Sequence, residues 1–446
     1  MAGVVHRHHH FARRGYRQRV YVERTKPLEQ YTTEELYARF RFGKADIEHL
    51  VNLLRPKLQH RTQRSHGLSV EDQILIALRF YACGTFYQVV GDYMGVAKSA
   101  VCDVVKDVSI ALASLVNECV SFPKDNQIAQ AKRSFFLLGN MPNTIGAIDC
   151  THVHIQAPRE NEWEFVNRKG RHSINVQLVC DADLIITNCV VKWPGSVHDA
   201  RILRESALYR DLQTNRPDGI ILGDSAYPLL PWLMTPFLTA NTPAQARFNT
   251  ALCRARCAIE RLNGVLKRRF ACLNYLRAEP QKACNITLAC IVLHNIATKR
   301  NVPLCADNDA PEPLGDPDQP PAFCQNEQTG CATRDAIIRS LYERYRFSSE
   351  DIRYLIVLVG PYEGNATKRS RAQCVCVSLR FVATGTYLHT VGDAEHISKK
   401  VPCDTQGCSC PKYTAKYVCG VSQLFANTNC QVASYQLAGK RKHLYM

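Results

Sequence analysis

Three segments in the middle of the chain combine β-branched residues with turn-forming residues. They are GAIDCTHVHIQAP at 146–158, NVQLVCDADLIITNCVVKW at 175–193 and GIILGDSAY at 219–227. This pattern predicts short, buried β-strands. Residues 246–272 and 281–299 instead repeat apolar side chains at the spacing of long helices. Strands interleaved with helices predict an α/β domain, which we place at residues 140–302.

The preceding residues, 31–135, have the periodicity of helices. A predicted cap at Thr32 and a second one at Ser69 each precede apolar residues at helical spacing. A short helix then reaches Gly95, and a new helix begins near Lys98. Helix, glycine-bearing turn and helix at this spacing predict an all-helical, helix-turn-helix-like domain. An ordinary corner of a helical bundle has the same pattern and stays an alternative.

The chain is basic, with 56 Lys and Arg against 40 Asp and Glu and a net charge of +16. A polyanion such as DNA is therefore the first partner to consider. Residues 1–30 are predicted to form a basic flexible arm, either merely solvated or in contact with phosphates. Residues 247–277 hold eight Lys and Arg and one acid, Glu260.

The cysteine content indicates a reducing compartment. The chain has 21 cysteines, an odd number, and they are irregularly spaced. No apolar signal segment opens the chain, and no run reaches the roughly 18 apolar residues of a membrane helix. We therefore expect reduced thiols, no membrane association, and a location in the nucleus and cytoplasm.

A change of composition marks the end of the α/β domain. Residues 303–330 contain six prolines, six acids and no Lys or Arg, which predicts an acidic linker. The five cysteines of residues 401–446 fit no standard zinc spacing, and we expect a poorly ordered cysteine-rich tail.

An internal repeat lies between this linker and the tail. Residues 341–359 match residues 36–54 at nine of nineteen positions, and residues 379–393 match residues 78–92 at nine of fifteen. Two matches at nearly the same offset indicate a duplication. Residues 331–400 are therefore predicted to be a truncated second copy of the helical domain.

Three acidic residues have the placement that a nuclease site in an α/β domain needs. Asp149 and Asp224 each follow an apolar run, and Glu260 lies on a predicted helix. Hard divalent cations take oxygen ligands, and two such ions held by carboxylates can promote attack on a phosphodiester. Taken alone, each acid is more often a turn residue, a helix cap or a surface ion-pair partner. The basic surroundings of Glu260 favour the nuclease site.

The same region resembles a known family. Its motifs are GAIDCTHVHIQAP, VNRKGRHSINVQLVCD, WPGSVHDARILRES, LGDSAYPL, FNTALCRARCAIERLNGVLKRRFACL and ACIVLHNIA. In this order, over roughly residues 30–300, they resemble PIF/Harbinger-type DDE transposases and nucleases derived from them. The resemblance implies an RNase H-like catalytic domain with a divalent metal, Mg²⁺ or Mn²⁺. Carried onto matching positions, it implies Asp149, Asp224 and Glu260 as catalytic metal ligands and Asp199 as a further ligand.

Basic residues and histidines surround these acids in the sequence. Candidates to hold the DNA backbone are Arg168, Lys169, Arg171, Arg256, Lys267, Arg268 and Arg269. His152 and His154 point to one side of a strand, where they either pack as polar core residues or contact phosphate. His198 either orients Asp199 or binds metal, and hard-ion chemistry favours the orienting role. His294 lies on an apolar helix and is expected to be a core residue.

We therefore expect a transposase-derived nuclease that hydrolyses DNA phosphodiester bonds with a divalent metal, without transposition activity of its own. One alternative is a domesticated DNA-binding protein that no longer cuts. Another is an active Harbinger transposase, whose strand joining uses the same acids. The resemblance also implies a separate Myb-like partner protein that supplies DNA specificity or nuclear import.

Overall fold

The computed structural model describes residues 24–59, 67–215, 217–304 and 328–343. The predicted basic arm up to residue 23 and most of the acidic linker lie outside the described residues. So do most of the predicted C-terminal repeat and all of the cysteine-rich tail. Those assignments stay predictions.

Eight helices precede the first strand in the described ranges. They are α1 (Pro27–Gln30), α2 (Thr33–Phe40), α3 (Lys44–Leu58), α4 (Val70–Cys83), α5 (Tyr87–Met94), α6 (Lys98–Ala113), α7 (Val116–Cys119) and α8 (Asp125–Gly139). Both expected caps are present. Thr32 Oγ1 accepts from the amide of Glu35 at 3.3 Å, and Ser69 Oγ accepts from the amide of Asp72 at 3.0 Å. These bonds satisfy free amides and define where α2 and α4 begin.

The turn between α5 and α6 depends on two glycines. Gly95 ends α5 with a φ of +68°, in the left-handed region that favours glycine. Inside α5, a Cβ on Gly91 would come within 2.5 Å of the Val96 carbonyl oxygen. Only glycine permits this approach, which lets α6 begin at Lys98 immediately after the turn. The two helices and the turn of the predicted motif are thus present, and their role in DNA binding stays a prediction.

A mixed sheet of five strands follows, as the α/β pattern predicts. The strands are β1 (Thr144–His154), β2 (Ser173–Cys180), β3 (Ile186–Pro194), β4 (Ile220–Leu222) and β5 (Leu233–Met234). Their order across the sheet is β3-β2-β1-β4-β5. β1, β2 and β3 pair antiparallel, whereas β4 pairs parallel with both β1 and β5. The central strand, β1, is therefore buried on both sides.

The remaining helices cover both faces of this sheet. They are α9 (Asp199–Arg204), α10 (Ala207–Thr214), α11 (Pro243–Arg269), α12 (Pro280–Lys299) and α13 (Gln328–Glu343). Ala147 and Leu178 pack in the same core as Leu262 of α11, whereas Ile148 packs in a second core with Leu203 of α9. Because side chains alternate along a strand, Asp149 faces α11 and Cys150 faces α9.

The N-terminal helices pack directly on the sheet domain. α6 lies along α12, and Asn295 of α12 connects the two parts by hydrogen bonds. Its Oδ1 accepts from the amide of Ile186 at 2.8 Å, while its Nδ2 donates to the Cys119 carbonyl at 3.0 Å. One hydrophobic core therefore extends from the N-terminal helices to the face of the sheet that carries Asp149.

The last described helix, α13, docks at the β5 edge of the sheet. A Cβ on Gly330 would come within 3.0 Å of the backbone of Leu230. The guanidinium of Arg334 lies 3.7 Å from the ring centre of Phe237, and Ile337 is buried. Within the described ranges, no helix has the length and apolar character that crossing a membrane requires.

Candidate active site

The first predicted acid, Asp149, lies in the middle of β1. Its side chain is 19% exposed, while the strand residues around it are buried. Asn263 on α11 donates from Nδ2 to Asp149 Oδ2 at 3.3 Å. The strand thus delivers one partly solvated carboxylate to the side of α11.

The second acid, Asp224, comes two residues after β4, the parallel neighbour of β1. Its Oδ1 accepts a hydrogen bond from the amide of Ala226 at 3.0 Å. This bond to the amide two residues later forms a turn that is typical of aspartate. Burial raises the pKa of Asp224 above its usual value, against the opposing effects of Arg256 and the Ala226 amide. Asp224 is therefore easier to protonate than an exposed aspartate.

Arg256 on α11 interacts with all three predicted acids. Its Nη1 lies 3.9 Å from Asp149 Oδ1, and its Nη2 donates to Glu260 Oε1 at 2.5 Å. Burial lowers the pKa of Arg256, but the charges of Asp149, Glu260 and Asp224 outweigh it and the net pKa is raised. The guanidinium is thus a counter-ion that Asp149 and Glu260 share, and its charge also acts on Asp224.

Arg256 also bears on whether these residues suit a divalent metal. Within the described ranges, no three His, Cys, Asp or Glu side chains lie close enough together to hold a metal ion. The donor chemistry nevertheless fits, because three carboxylates supply the oxygen ligands that Mg²⁺ and Mn²⁺ prefer. Asn263 Oδ1 is also buried without a hydrogen-bond partner in the described structure.

The structure places Asp199 elsewhere. Asp199 is buried at the start of α9, where its Oδ1 accepts from Asn175 Nδ2 at 2.9 Å. Asn175 pairs across the strands with His152, and strand alternation puts His152 on the face opposite Asp149. Asp199 therefore belongs to the face that carries Cys150 rather than to the face of Arg256.

The strand histidines take the polar-packing alternative in the structure. His152 is buried with its Nδ1 3.0 Å from Ser173 Oγ, and His154 is buried with its Nδ1 3.1 Å from the Asn274 carbonyl oxygen. His198 caps α9 by accepting from the amide of Ala200 at 3.3 Å. Each of these histidines thus has a structural hydrogen bond.

His294 lies in the core, as the apolar pattern of its helix predicts. It is fully buried, and its Nε2 lies 2.8 Å from the Leu184 carbonyl oxygen. Burial lowers the pKa of His294 to about 4. The side chain is therefore neutral at physiological pH and has no contact with the acids of the site among its observed hydrogen bonds.

The predicted basic turn is exposed, and a buried side chain fixes its backbone by hydrogen bonds. Arg168, Lys169 and Arg171 are all exposed. Asn167 is buried, and its Oδ1 accepts from the amides of Lys169 at 2.9 Å and Arg171 at 3.2 Å. Its Nδ2 donates to Ser173 Oγ at 3.1 Å. The turn is therefore fixed by one buried asparagine.

The basic end of α11 divides into buried and exposed residues. Lys267 and Arg269 are each only 4% exposed, and Arg269 donates to the Val302 carbonyl at 3.1 Å. Arg268 is exposed. Of these three residues at the end of α11, Arg268 is the one whose side chain is exposed and can reach a phosphate.

The counter-ion role of Arg256 and the role of Asn167 in holding the basic turn were not identified from the sequence. The sequence indicates the first role only through the spacing of four residues between Arg256 and Glu260 on a helix, which is typical of an ion pair. For Asn167 the sequence indication is weaker: asparagine side chains in turns commonly accept hydrogen bonds from the backbone amide two residues later. Neither pattern predicts a contact with a distant part of the chain, such as that between Arg256 and Asp149.

Comparison with known proteins places this site in a family. The model described as DDE superfamily endonuclease matches residues 148–295. The rat protein named "Putative nuclease HARBI1" is 37% identical over 307 residues, covering 68% of this chain and 86% of that relative. The human protein of that name is 37% identical over 281 residues, covering 62% and 80%. The Arabidopsis "Protein ALP1-like" is 26% identical over 306 residues, covering 63% and 73%.

No solved structure matches this chain. The endonuclease match nevertheless contains all three acids around Arg256, and the nuclease relatives are covered over most of their length. The resemblance that the sequence motifs predict is therefore confirmed. This chain belongs to the family of Harbinger transposase-derived nucleases, within the DDE superfamily of endonucleases.

Proposed function

We propose that this chain hydrolyses DNA phosphodiester bonds with a divalent metal, Mg²⁺ or Mn²⁺, and has no transposition activity of its own. The observation that carries this proposal is the pairing of Asp149 and Glu260 with one cationic side chain, Arg256, whose charge also acts on Asp224. Carboxylates grouped in this way attract a cation when the positive side chain moves away.

The fold supports the same proposal. We infer an RNase H-like catalytic domain from the strand order β3-β2-β1-β4-β5, with three antiparallel strands followed by two parallel ones. One acid comes from the central strand, one from the end of its parallel neighbour, and one from the helix packed across them. In this arrangement, Asp149, Asp224 and Glu260 could act at one site although they are far apart in the sequence.

Asp149, Asp224 and Glu260 would hold the metal, with Asn263 Oδ1 as an additional oxygen donor. A bound divalent cation lowers the pKa of a water molecule and stabilises the leaving oxygen of the phosphodiester. Asp224 must be deprotonated to serve as a ligand, and its raised pKa makes this step sensitive to pH. Asn263 holds Asp149 in position through its Nδ2.

Arg256 changes partners in this proposal. Its guanidinium neutralises Asp149 and Glu260 in the described structure. When those carboxylates are engaged in catalysis, Arg256 becomes able to donate to a phosphate oxygen, for which its planar fork is well suited. This assigns Arg256 to the backbone-binding group predicted from the sequence.

The DNA backbone would lie across the exposed basic residues. We assign Arg168, Lys169 and Arg171 of the turn, together with Arg268 of α11, to phosphate contact. A DNA substrate agrees with a location in the nucleus as well as the cytoplasm. The sparse basic residues on α6 agree with a separate Myb-like partner that supplies sequence specificity.

The test is Mg²⁺-dependent nicking of plasmid DNA by the full chain. We expect Asp149→Asn to lose activity by at least about 100-fold, the loss typical of removing one group that stabilises charge in a transition state. Asp211→Asn, an exposed carboxylate on α10, is the matched control and should cut normally. Equal cutting by both variants would refute the site.

The ion pairs of Arg256 also favour a second candidate, a DNA-binding protein that no longer cuts. In such a protein, Arg256 would neutralise the acids permanently. Titration calorimetry with Mg²⁺ separates the candidates, since only the nuclease needs to bind the metal. A strand-joining assay with pre-cut DNA ends tests the absence of transposition chemistry, and joined products would contradict it.

A further inference from the structure

A concave surface separate from the acids around Arg256 lies between the start of α5 and the segment that follows α11. We call it the aromatic cleft and define it by Phe86, Lys98, Gln156, Tyr275 and Arg277. Its volume is about 340 Å³, which is large enough for a planar group the size of a nucleobase. None of the acids around Arg256 lines it.

The aromatic side chains of the cleft are unusually exposed. Phe86 is 59% exposed and Tyr275 is 44% exposed. Exposed aromatic residues grouped in a concave site commonly mark a place where a ligand binds. The two rings come from distant parts of the chain, so the folded structure brings them together.

Arg277 holds these two rings in place. Its guanidinium lies 4.3 Å from the ring centre of Phe86 and 5.1 Å from that of Tyr275. Its Nη1 also donates to the Gly84 carbonyl at 3.3 Å. The cleft therefore presents three planar groups, already stacked and anchored to the backbone, before any ligand arrives.

The charge of the cleft is suited to an anionic ligand. Lys98 and Arg277 line it, and no Asp or Glu does. The ammonium of Lys282 lies nearby, 4.8 Å from the ring centre of Tyr87. Gln156, which is exposed, adds an amide that can donate to and accept from the edge of a base. Aromatic faces, cations and one amide are the groups that bind single-stranded nucleic acid.

We propose that the aromatic cleft binds an unstacked nucleobase in a single-stranded DNA segment that flanks the cleavage site. The proposal rests on the proposed function, because it takes DNA as the substrate. β1 connects the two sites, since the Leu276 amide donates to the His154 carbonyl at 2.7 Å and the Gln156 amide donates to the Leu276 carbonyl at 3.1 Å. The cleft is thus anchored to the end of the strand that carries Asp149.

The strand also sets the spacing between cleft and cleavage site. At about 3.3 Å per residue, the path from Asp149 to Gln156 is roughly 23 Å. This distance corresponds to about seven nucleotides at the rise of duplex DNA, and to fewer where the strand is extended. The preferred substrate is therefore a duplex with a single-stranded flank, bound by a base up to about seven nucleotides from the bond that is cut.

The test uses the full chain without Mg²⁺, so that cleavage plays no part. Fluorescence anisotropy compares a blunt duplex with a duplex carrying a tail of about ten nucleotides, a length within the usual range of single-strand sites. 2-Aminopurine placed along the tail reports stacking by quenching of its fluorescence. The variants are Phe86→Ala and Tyr275→Ala, with Val89→Ala on α5, 51% exposed, as the control.

We expect each cleft variant to bind the tailed duplex about ten-fold more weakly, as for loss of one base-stacking contact, and the blunt duplex unchanged. The 2-aminopurine quenching should disappear in both variants, persist in Val89→Ala and return with Phe86→Trp. Equal melting temperatures show that the variants are folded. Wild-type affinity and quenching in both cleft variants would overturn the proposal.

The outcomes separate this proposal from the proposed function. A chain that binds the tail through Phe86 and Tyr275 but does not cut DNA would support the cleft and refute the nuclease. A chain that cuts with Mg²⁺ while both variants bind the tail normally would refute the cleft and support the nuclease.

Discussion

Arg256 and Glu260 lie one turn apart on α11, and Arg256 Nη2 donates to Glu260 Oε1 at 2.5 Å. The same guanidinium reaches across to Asp149 on the central strand, 3.9 Å away. A positive side chain therefore lies between two of the three acids that we propose for the nuclease site.

Arg256→Gln should destabilise the metal-free protein by about 1–3 kcal/mol, because it leaves neighbouring carboxylates without their counter-ion. The same variant should gain more stability from Mg²⁺ than the wild type does, since the metal no longer competes with the guanidinium. Thermal unfolding across a Mg²⁺ titration measures both effects. Arg261→Gln, exposed on the same helix, is the control. A smaller Mg²⁺ response in Arg256→Gln would contradict the shared-site interpretation.

His294 should make the protein sensitive to mild acid. Its pKa is about 4 in the folded protein, below the usual value near 6.5 for an unfolded chain. The unfolded state therefore binds more protons between these values, and stability should fall as the pH drops from about 6.5 to 4. Protonation would also place an N–H on Nδ1, which is buried without a partner in the described structure.

Urea unfolding at several pH values measures this loss. His294→Gln keeps an N–H donor for the Leu184 carbonyl and removes the titrating imidazole. The stability of the wild type relative to His294→Gln should therefore fall as the pH drops from about 6.5 to 4, independently of other groups that titrate in that window. A stability difference between the two proteins that stays constant from pH 7 to pH 4.5 would contradict the prediction.

Asp181 should have the opposite pH dependence. Burial raises its pKa to about 6, although the amides of Ile185 and Asp183 act against the shift. The folded state therefore binds the extra proton between the usual value near 3.9 and about 6. Stability should fall as the pH rises through this window and stay lower above it.

Asp181→Asn removes the buried charge and keeps an oxygen that accepts from both amides. We expect it to be more stable than the wild type at pH 7, by on the order of 1–2 kcal/mol, and similar near pH 4. Asp211→Asn, an exposed carboxylate on α10, is the control. Denaturant unfolding at both pH values measures the difference, and a loss of stability at pH 7 would disagree with it.

The basic turn should contribute to DNA affinity in a salt-dependent way. Replacing Lys169 or Arg171 with Ala should reduce the slope of log affinity against log salt by about 0.9 each if each contacts one phosphate. Asn167→Ala should weaken binding although all charges remain, because it releases the amides that hold the turn. Anisotropy with duplex DNA measures both, and Lys57→Ala on α3 is the control. An unchanged slope would exclude the turn from the DNA interface.

Local features were predictable because their signals are contiguous. The caps at Thr32 and Ser69, the apolar runs of β1 and β4, and the helical period around Glu260 depend on residues a few positions apart. These patterns, together with the ordered motifs, predict the α/β class and the three acids. They are the part of the protein that its sequence alone determines.

Long-range packing decided the remainder. The position of Asp199 away from Asp149 depends on which face of the sheet α9 packs against, and the burial of Lys267 and Arg269 depends on what packs over the end of α11. Arg256 meets Asp149, and Phe86 meets Tyr275 through Arg277, only after distant segments come together. Such contacts form because one shared core holds the N-terminal helices, α11, α12 and the sheet in a single arrangement, and no short stretch of sequence contains that information.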